Sequence, residues 1–227
     1  MYIQEEISTC DTMFNPYESV PNSNNTATPG NYAVVSGEVI KTPEFSHELY
    51  GEIFLETVVK VKRLSDSYDY IPVTFSERLA NLIDVNKGAF LSFSGQFRSY
   101  NRQEGIKTKL CLTLFARSIE EVDEKTNPNF ITLTGFVCRP TVYRTTPLGR
   151  EIGDVLLAVN RAFSKSDYIP CIAWGRTAKF VSTLAVGAKI KVCGRIQSRE
   201  YTKQIGDRTE VRTAYEISIT TAESVNE

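Results

Sequence analysis

The sequence repeats itself at a spacing of 98 residues, and this repeat constrains the fold more than any other feature. When residues 31–83 are placed on residues 129–181 without a gap, twelve of the 53 positions are identical, where average residue usage gives about 3 by chance. The identities include a complete tetrapeptide, Asp-Tyr-Ile-Pro, at residues 69–72 and again at 167–170. Solenoid repeats are shorter than this period. Each copy is therefore expected to fold as a domain of its own.

The alternation of apolar and polar residues predicts strands in both copies. Residues 189–196 alternate strictly, with Ile190, Val192 and Ile196 on one face. Helical spacing occurs only at residues 76–83 and 176–184. The predicted strands are residues 32–39, 53–63, 70–75, 89–98 and 107–117 in the first copy, and 130–137, 154–163, 168–174, 189–196 and 211–219 in the second. Five short strands with one helix between the third and fourth are the order of the OB-fold barrel, so we predict an all-β fold of two tandem OB barrels.

Polar segments set the expected domain boundaries. Residues 15–31 are polar and rich in turn-forming residues, so residues 1–30 are expected to form a flexible arm. The acidic stretch at residues 120–128 is expected to link the copies. The predicted domains are therefore a diverged OB fold at 31–119 and a second OB fold at 129–222.

Composition and motifs exclude several classes of protein. The five cysteines are scattered without a Cys-x-x-Cys pair and the chain has one histidine, so a zinc site is not expected. No Gly-rich phosphate loop and no catalytic carboxylate pair is present, so we expect neither an enzyme nor a cofactor. The N-terminus lacks the features of a signal peptide, and no apolar run is long enough to span a bilayer. A cytoplasmic, nucleoid-associated protein is expected.

The charge differs between the two halves of the chain. Residues 129–227 carry 14 Lys and Arg against 9 Asp and Glu, a balance of +5, whereas residues 1–128 carry 12 against 18, a balance of −6. This asymmetry indicates that the second half contacts a polyanion.

Four aromatic residues of the second copy stand beside cations: Phe163, Tyr168, Trp174 and Tyr201. The neighbouring cations are Arg161, Lys165, Arg176, Lys179, Arg199 and Lys203. Bases stack on exposed rings at about 1–3 kcal/mol each while Lys and Arg contact phosphates, so this combination is typical of single-stranded nucleic-acid binding. Packing in the barrel is the alternative interpretation, above all for Trp174. Tyr201 lies in a polar hairpin and is expected to be exposed.

Residues 129–219 resemble the bacterial single-stranded DNA-binding proteins. The resemblance rests on residues 129–135 (NFITLTG), 146–149 (TPLG), 156–161 (LLAVNR), 168–171 (YIPC), 174–176 (WGR), Gly187 and 194–199 (GRIQSR). It implies an OB fold and places the family's base-stacking positions on Phe163, Tyr168, Trp174 and Tyr201. It also implies a basic contact at Arg144, although the family's Gly-Arg turn is altered to residues 138–141 (CRPT) here.

The first copy keeps only part of this set. Tyr70 corresponds to Tyr168, and Tyr100 corresponds to Tyr201 when the hairpins are aligned on their glycines, whereas Ser65 and Ser76 replace Phe163 and Trp174. Losing two stacking positions lowers the local affinity by about 2–6 kcal/mol. Arg63 and Arg98 are expected to contact phosphates still. Two readings stay open: the first copy binds DNA weakly, or it only builds the oligomer.

The expected function is therefore binding of single-stranded DNA with little sequence preference. The resemblance implies a working assembly of four OB folds, so we expect a homodimer, with strand 1 contacts at the interface. The sequence ends at residues 224–227 directly after the last strand, where the family usually has an acidic tail, so recruitment of replication or repair proteins through such a tail is not expected. The alternative function is a replication accessory or mobile-element protein that uses its OB folds for protein docking.

Overall fold

The computed structural model describes residues 30–104, 107–124, 128–162, 165–206 and 208–225. The predicted N-terminal arm, apart from Gly30, and the middle of the predicted linker lie outside these residues.

Within the described residues, each copy forms six strands and one short helix. The first copy comprises β1 (Asn31–Val39), β2 (Glu44–Leu49), β3 (Glu52–Lys62), β4 (Tyr68–Ser76), α1 (Glu77–Ala80), β5 (Phe90–Glu104) and β6 (Lys107–Glu121). The second comprises β7 (Asn129–Val137), β8 (Val142–Thr145), β9 (Glu151–Asn160), β10 (Ser166–Trp174), α2 (Gly175–Ser182), β11 (Lys189–Ile205) and β12 (Arg208–Ser224). The all-β prediction is confirmed, with the helix of each copy after the strand that ends in Ser76 or Trp174.

Two short strands were not predicted. β2 and β8 pair with β3 and β9 at the outer edges of the sheet, and nearly all of their residues are exposed. A strand without a buried face needs no apolar alternation, so the sequence pattern gave no signal for it.

Each copy closes into a barrel because its first strand pairs on two sides. β1 pairs with β5 along most of its length and with β3 at its end, where Val39 lies opposite Val59. Gly37 permits this closure, since a Cβ there would collide with the backbone carbonyl of Lys60. A Cβ at Gly135, the repeat equivalent of Gly37, would lie 2.8 Å from the carbonyl oxygen of Ala158. The fully buried side chains inside the barrels include Ile71, Phe75, Phe93, Leu114, Leu133, Leu157, Ile169 and Ile196.

The two barrels are joined through their first strands. β1 pairs antiparallel with β7, and Ala33 lies opposite Ile131, its own equivalent 98 residues later. The strand order, β2-β3-β4-β6-β5-β1-β7-β11-β12-β10-β9-β8, is therefore the same read from either end, as a twofold axis between the copies requires. The expected strand 1 contact between two chains is thus made within one chain instead. No helix among the described residues has the length and apolar character needed to cross a membrane.

Candidate nucleic-acid interface

Two of the predicted stacking residues lie at opposite ends of β10. Ile169, Cys171 and Ala173 of this strand are buried. Tyr168 and Trp174 alternate with them and keep 49% and 40% of their surface exposed. Both rings are therefore accessible and not part of the core. Phe163 lies outside the described residues.

The hairpin tyrosines are also exposed, each beside an arginine. Tyr201 on β11 and Tyr100 on β5 keep 36% and 39% of their surface. The Arg199 guanidinium carbon lies 5.9 Å from the Tyr201 ring centroid, and that of Arg102 lies 5.7 Å from the Tyr100 ring. Partial burial raises the pKa of Tyr100, whose hydroxyl accepts a hydrogen bond of 3.0 Å from Arg102. Each hairpin thus presents an exposed ring next to a cation.

Four predicted cations are accessible at the surface. Arg176 in the first turn of α2 and Lys203 on β11 are exposed. Arg144 Nε lies 3.0 Å from Asp154 and Arg199 Nε lies 3.8 Å from Glu216. Because exposed ion pairs contribute only about 0–1 kcal/mol, phosphate groups can compete for these arginines.

Three further predicted cations are engaged within the protein. Arg63 donates to both carboxylate oxygens of Asp69, at 2.6 and 3.0 Å. Arg161 Nε lies 3.4 Å from the buried Asp167 carboxylate. Arg98 is half-buried, with its guanidinium carbon 4.2 Å from the Phe115 ring centroid. These side chains are less available to phosphates than the exposed four.

Sequence reasoning missed a pair of buried aspartates that join the copies. Asp69, 1% exposed, accepts hydrogen bonds from Ser198 N at 2.7 Å and from Arg195 Nη1 at 3.0 Å, both in the second copy. Asp167, fully buried, accepts a bond of 2.6 Å from Ser99 N in the first copy. The sequence held one signal, because the aspartate of each repeated tetrapeptide stands on the inward face of its strand.

The same junction fixes the tyrosine that follows each aspartate. The backbone N–H of Tyr70 donates to Ser198 Oγ at 2.9 Å, and that of Tyr168 donates to Ser99 Oγ at 2.8 Å. Each tyrosine is therefore anchored on the opposite copy. The hydrogen bond holds the backbone of the tyrosine, and the ring extends from that point of the junction.

One known family matches the second copy. Residues 128–225 match the model of the single-strand binding protein family. The second copy is therefore similar to this family. The family match covers the second copy with its exposed ring set, whereas the first copy lies outside it.

Curated relatives match the chain over a segment of 87 residues. The chain is 38% identical over 87 residues to single-stranded DNA-binding protein 1 of Staphylococcus aureus (strain COL), which covers 35% of this chain and 52% of the relative. It is 36% identical over 87 residues to single-stranded DNA-binding protein A of Bacillus subtilis (strain 168), covering 35% and 51%. The chain thus spans about half the length of the curated relatives it matches.

A solved structure resembles both copies together. The crystal structure of the wild-type single-stranded DNA binding protein from Thermus aquaticus superposes with a TM-score of 0.71 and 19% identity. The alignment covers 87% of this chain and 93% of that chain. At this identity the likeness shows the fold, in which two OB folds occupy one chain.

Proposed function

We propose that the chain is a member of this family and binds single-stranded DNA with little sequence preference and without catalysis. The observation that supports this most is the set of exposed rings on one barrel, Tyr168, Trp174 and Tyr201, beside accessible cations. Bases of any identity stack on such rings, while Lys and Arg follow the phosphates. Coating of exposed strands during replication, recombination or repair in the cytoplasm is the corresponding role.

The second copy is the stronger binding unit in this proposal. Ser76 of the first copy occupies the place of Trp174, and its hydroxyl is engaged with Glu52 at 2.6 Å. The first copy keeps Tyr70 and Tyr100 as exposed rings. We therefore assign it a smaller direct share of the affinity.

A titration with poly(dT) tests the function directly. Trp174 is the only tryptophan of the sequence, so its fluorescence reports on one predicted stacking position. We expect poly(dT) to quench this fluorescence and added salt to reverse the quenching, because phosphate contacts weaken as salt rises. Fluorescence that does not respond to poly(dT) at low salt contradicts the proposal.

Alanine variants of the rings extend the test to the individual positions. We expect Trp174→Ala and Tyr201→Ala each to weaken binding of a labelled dT oligonucleotide by about 1–3 kcal/mol. Tyr70→Ala and Tyr100→Ala are expected to have smaller effects. Equal losses from both sets would contradict the ranking of the copies.

We also propose that two chains associate to present four OB folds. Since strand 1 of each copy is paired within the chain, another surface must form this contact. Replication or repair proteins are the class of protein partner that this role implies.

A further inference from the structure

The two copies carry different aromatic residues around their junction. We propose that one DNA strand passes through a single groove built from both copies, in which Tyr68 and Tyr70 of the first copy stack bases next to Trp174 of the second. This inference rests on the proposed function, and it assigns the first copy a part in the binding site of the second.

A cavity at the junction carries this proposal. It has a volume of about 1010 Å³ and lies between β3 and β4 of the first copy and β10 to β12 of the second. Its walls include Arg63, Tyr68 and Tyr70 on one side and Trp174, Arg195 and Arg199 on the other. The three rings keep about 40% of their surface exposed. Rings and cations therefore face the same space from different copies.

The repeat makes the asymmetry of the junction explicit. A shift of 98 residues carries Tyr70 onto Tyr168, but it carries Tyr68 onto Ser166 and Ser76 onto Trp174. The equivalent place on the other side of the twofold axis therefore has one ring, Tyr168, and two serines, Ser166 and Ser76. Three rings therefore lie together on this side of the junction, and one ring lies on the other side.

The walls of the groove are held at a fixed separation. Ser198 of the second copy receives a hydrogen bond of 2.9 Å from Tyr70 N at its Oγ, and one of 2.8 Å from Arg63 Nη2 at its carbonyl oxygen. Arg195 Nη1 lies 3.0 Å from Asp69. These bonds place Tyr70 on the second copy without involving its ring, so the ring stays available for a base.

The groove continues toward the two hairpins. A second cavity of about 700 Å³ is lined by Tyr100 and Arg102 of the first copy and by Tyr201 of the second. Val58 and Thr213 line both cavities, so the two spaces adjoin. A strand that leaves Trp174 and Tyr70 therefore meets the hairpin tyrosines of both copies next. Tyr168 lines neither cavity among the described residues.

A double-mutant cycle on the full-length protein tests the shared groove. Binding of a fluorescein-labelled dT oligonucleotide is measured by anisotropy for the wild type, Tyr70→Ala, Trp174→Ala and the double variant. One stacked base contributes about 5- to 150-fold in affinity. We expect Tyr70→Ala to weaken binding at least about fivefold in the wild-type chain but less than about twofold in the Trp174→Ala chain, because Trp174 guides the strand to Tyr70.

Tyr168→Ala is the matched control, since the same tetrapeptide places this ring outside the groove. It should weaken binding by the same factor with or without Trp174. Tyr70→Phe keeps the ring and should keep the wild-type affinity, which separates stacking from a folding defect. If Tyr70→Ala weakened binding by the same factor in the wild-type and Trp174→Ala chains, the shared groove would be refuted, but the proposed function would not. An unchanged affinity of Trp174→Ala itself would contradict the proposed function as well.

Discussion

The carboxylate of Asp69 lies at the point where the two copies meet. It is 1% exposed and faces two guanidinium groups, Arg63 from its own copy and Arg195 from the other. Removing this carboxylate leaves the buried N–H of Ser198 and two guanidinium groups, which are 26% and 38% exposed, without their charged acceptor. The cost of losing this carboxylate is therefore larger than the net contribution of the pair.

We expect Asp69→Asn to lower the free energy of unfolding by about 1.5–3 kcal/mol, since hydrogen bonds to charged groups contribute that much. The amide keeps the shape of the side chain but cannot accept from Arg63 and Arg195 at both of its ends. Urea denaturation measures the change. Asp154→Asn is the matched control, because it removes the half-exposed pair with Arg144 and should cost only about 0–1 kcal/mol. Equal effects of the two variants would refute the role of the junction.

Arg63 and Arg161 show what sequence reasoning could not decide at the residue scale. Both are cations near predicted aromatic positions, and they occupy equivalent positions in the two copies. The structure pairs them with Asp69 and Asp167, which lie 6 residues further along the chain. A phosphate contact and a buried ion pair require the same residue type. Each ion pair lies within one copy, beside the turn that joins two adjacent strands. The sequence does not show whether the arginine there faces the aspartate or the solvent.

The strands differ in how well their patterns predicted them. In β11, Ile190, Val192 and Ile196 are buried as the alternation predicted, because this part of the strand covers the barrel. The strand continues to Ile205, beyond its predicted end at residue 196. From Arg199 to Gln204 every residue is exposed. This arm pairs with β12 along its backbone and buries no residue from Arg199 to Gln204, so the sequence carries no periodic signal for it.

The closure of the second barrel depends on the close approach of β7 and β9. We expect Gly135→Ala to destabilise the protein by about 1–3 kcal/mol, because its Cβ would lie 2.8 Å from the Ala158 carbonyl oxygen and the backbone would have to shift. Thermal unfolding followed by circular dichroism measures the effect.

Gly30→Ala serves as the control for this substitution. A Cβ at Gly30 would lie 3.8 Å from its nearest neighbouring atom, the Thr134 carbonyl oxygen, which is ordinary van der Waals contact. We expect no loss of stability there. A Gly135→Ala protein as stable as the wild type would show that the strands can separate without cost.

At the scale of the whole molecule, the repeat predicted two domains but not how they associate. A sheet edge pairs in the same way with a strand of its own chain and with a strand of another. The pairing of Ala33 with Ile131 shows that one chain already forms a pseudo-symmetric pair of OB folds. Because the copies are covalently joined, each can change independently, which permits the different ring sets on the two sides of the junction.

The remaining whole-molecule prediction concerns the number of OB folds in solution. The proposed assembly of four requires two chains of 25.5 kDa, so sedimentation equilibrium should give about 51 kDa across the micromolar range. The outer strands β2 and β8 leave the sheet open at both ends, and Phe45 and Leu49 on β2 are exposed. Open edges with exposed apolar side chains favour association. A mass of 25.5 kDa together with full affinity for poly(dT) would mean that the pair of OB folds within one chain is the complete binding unit.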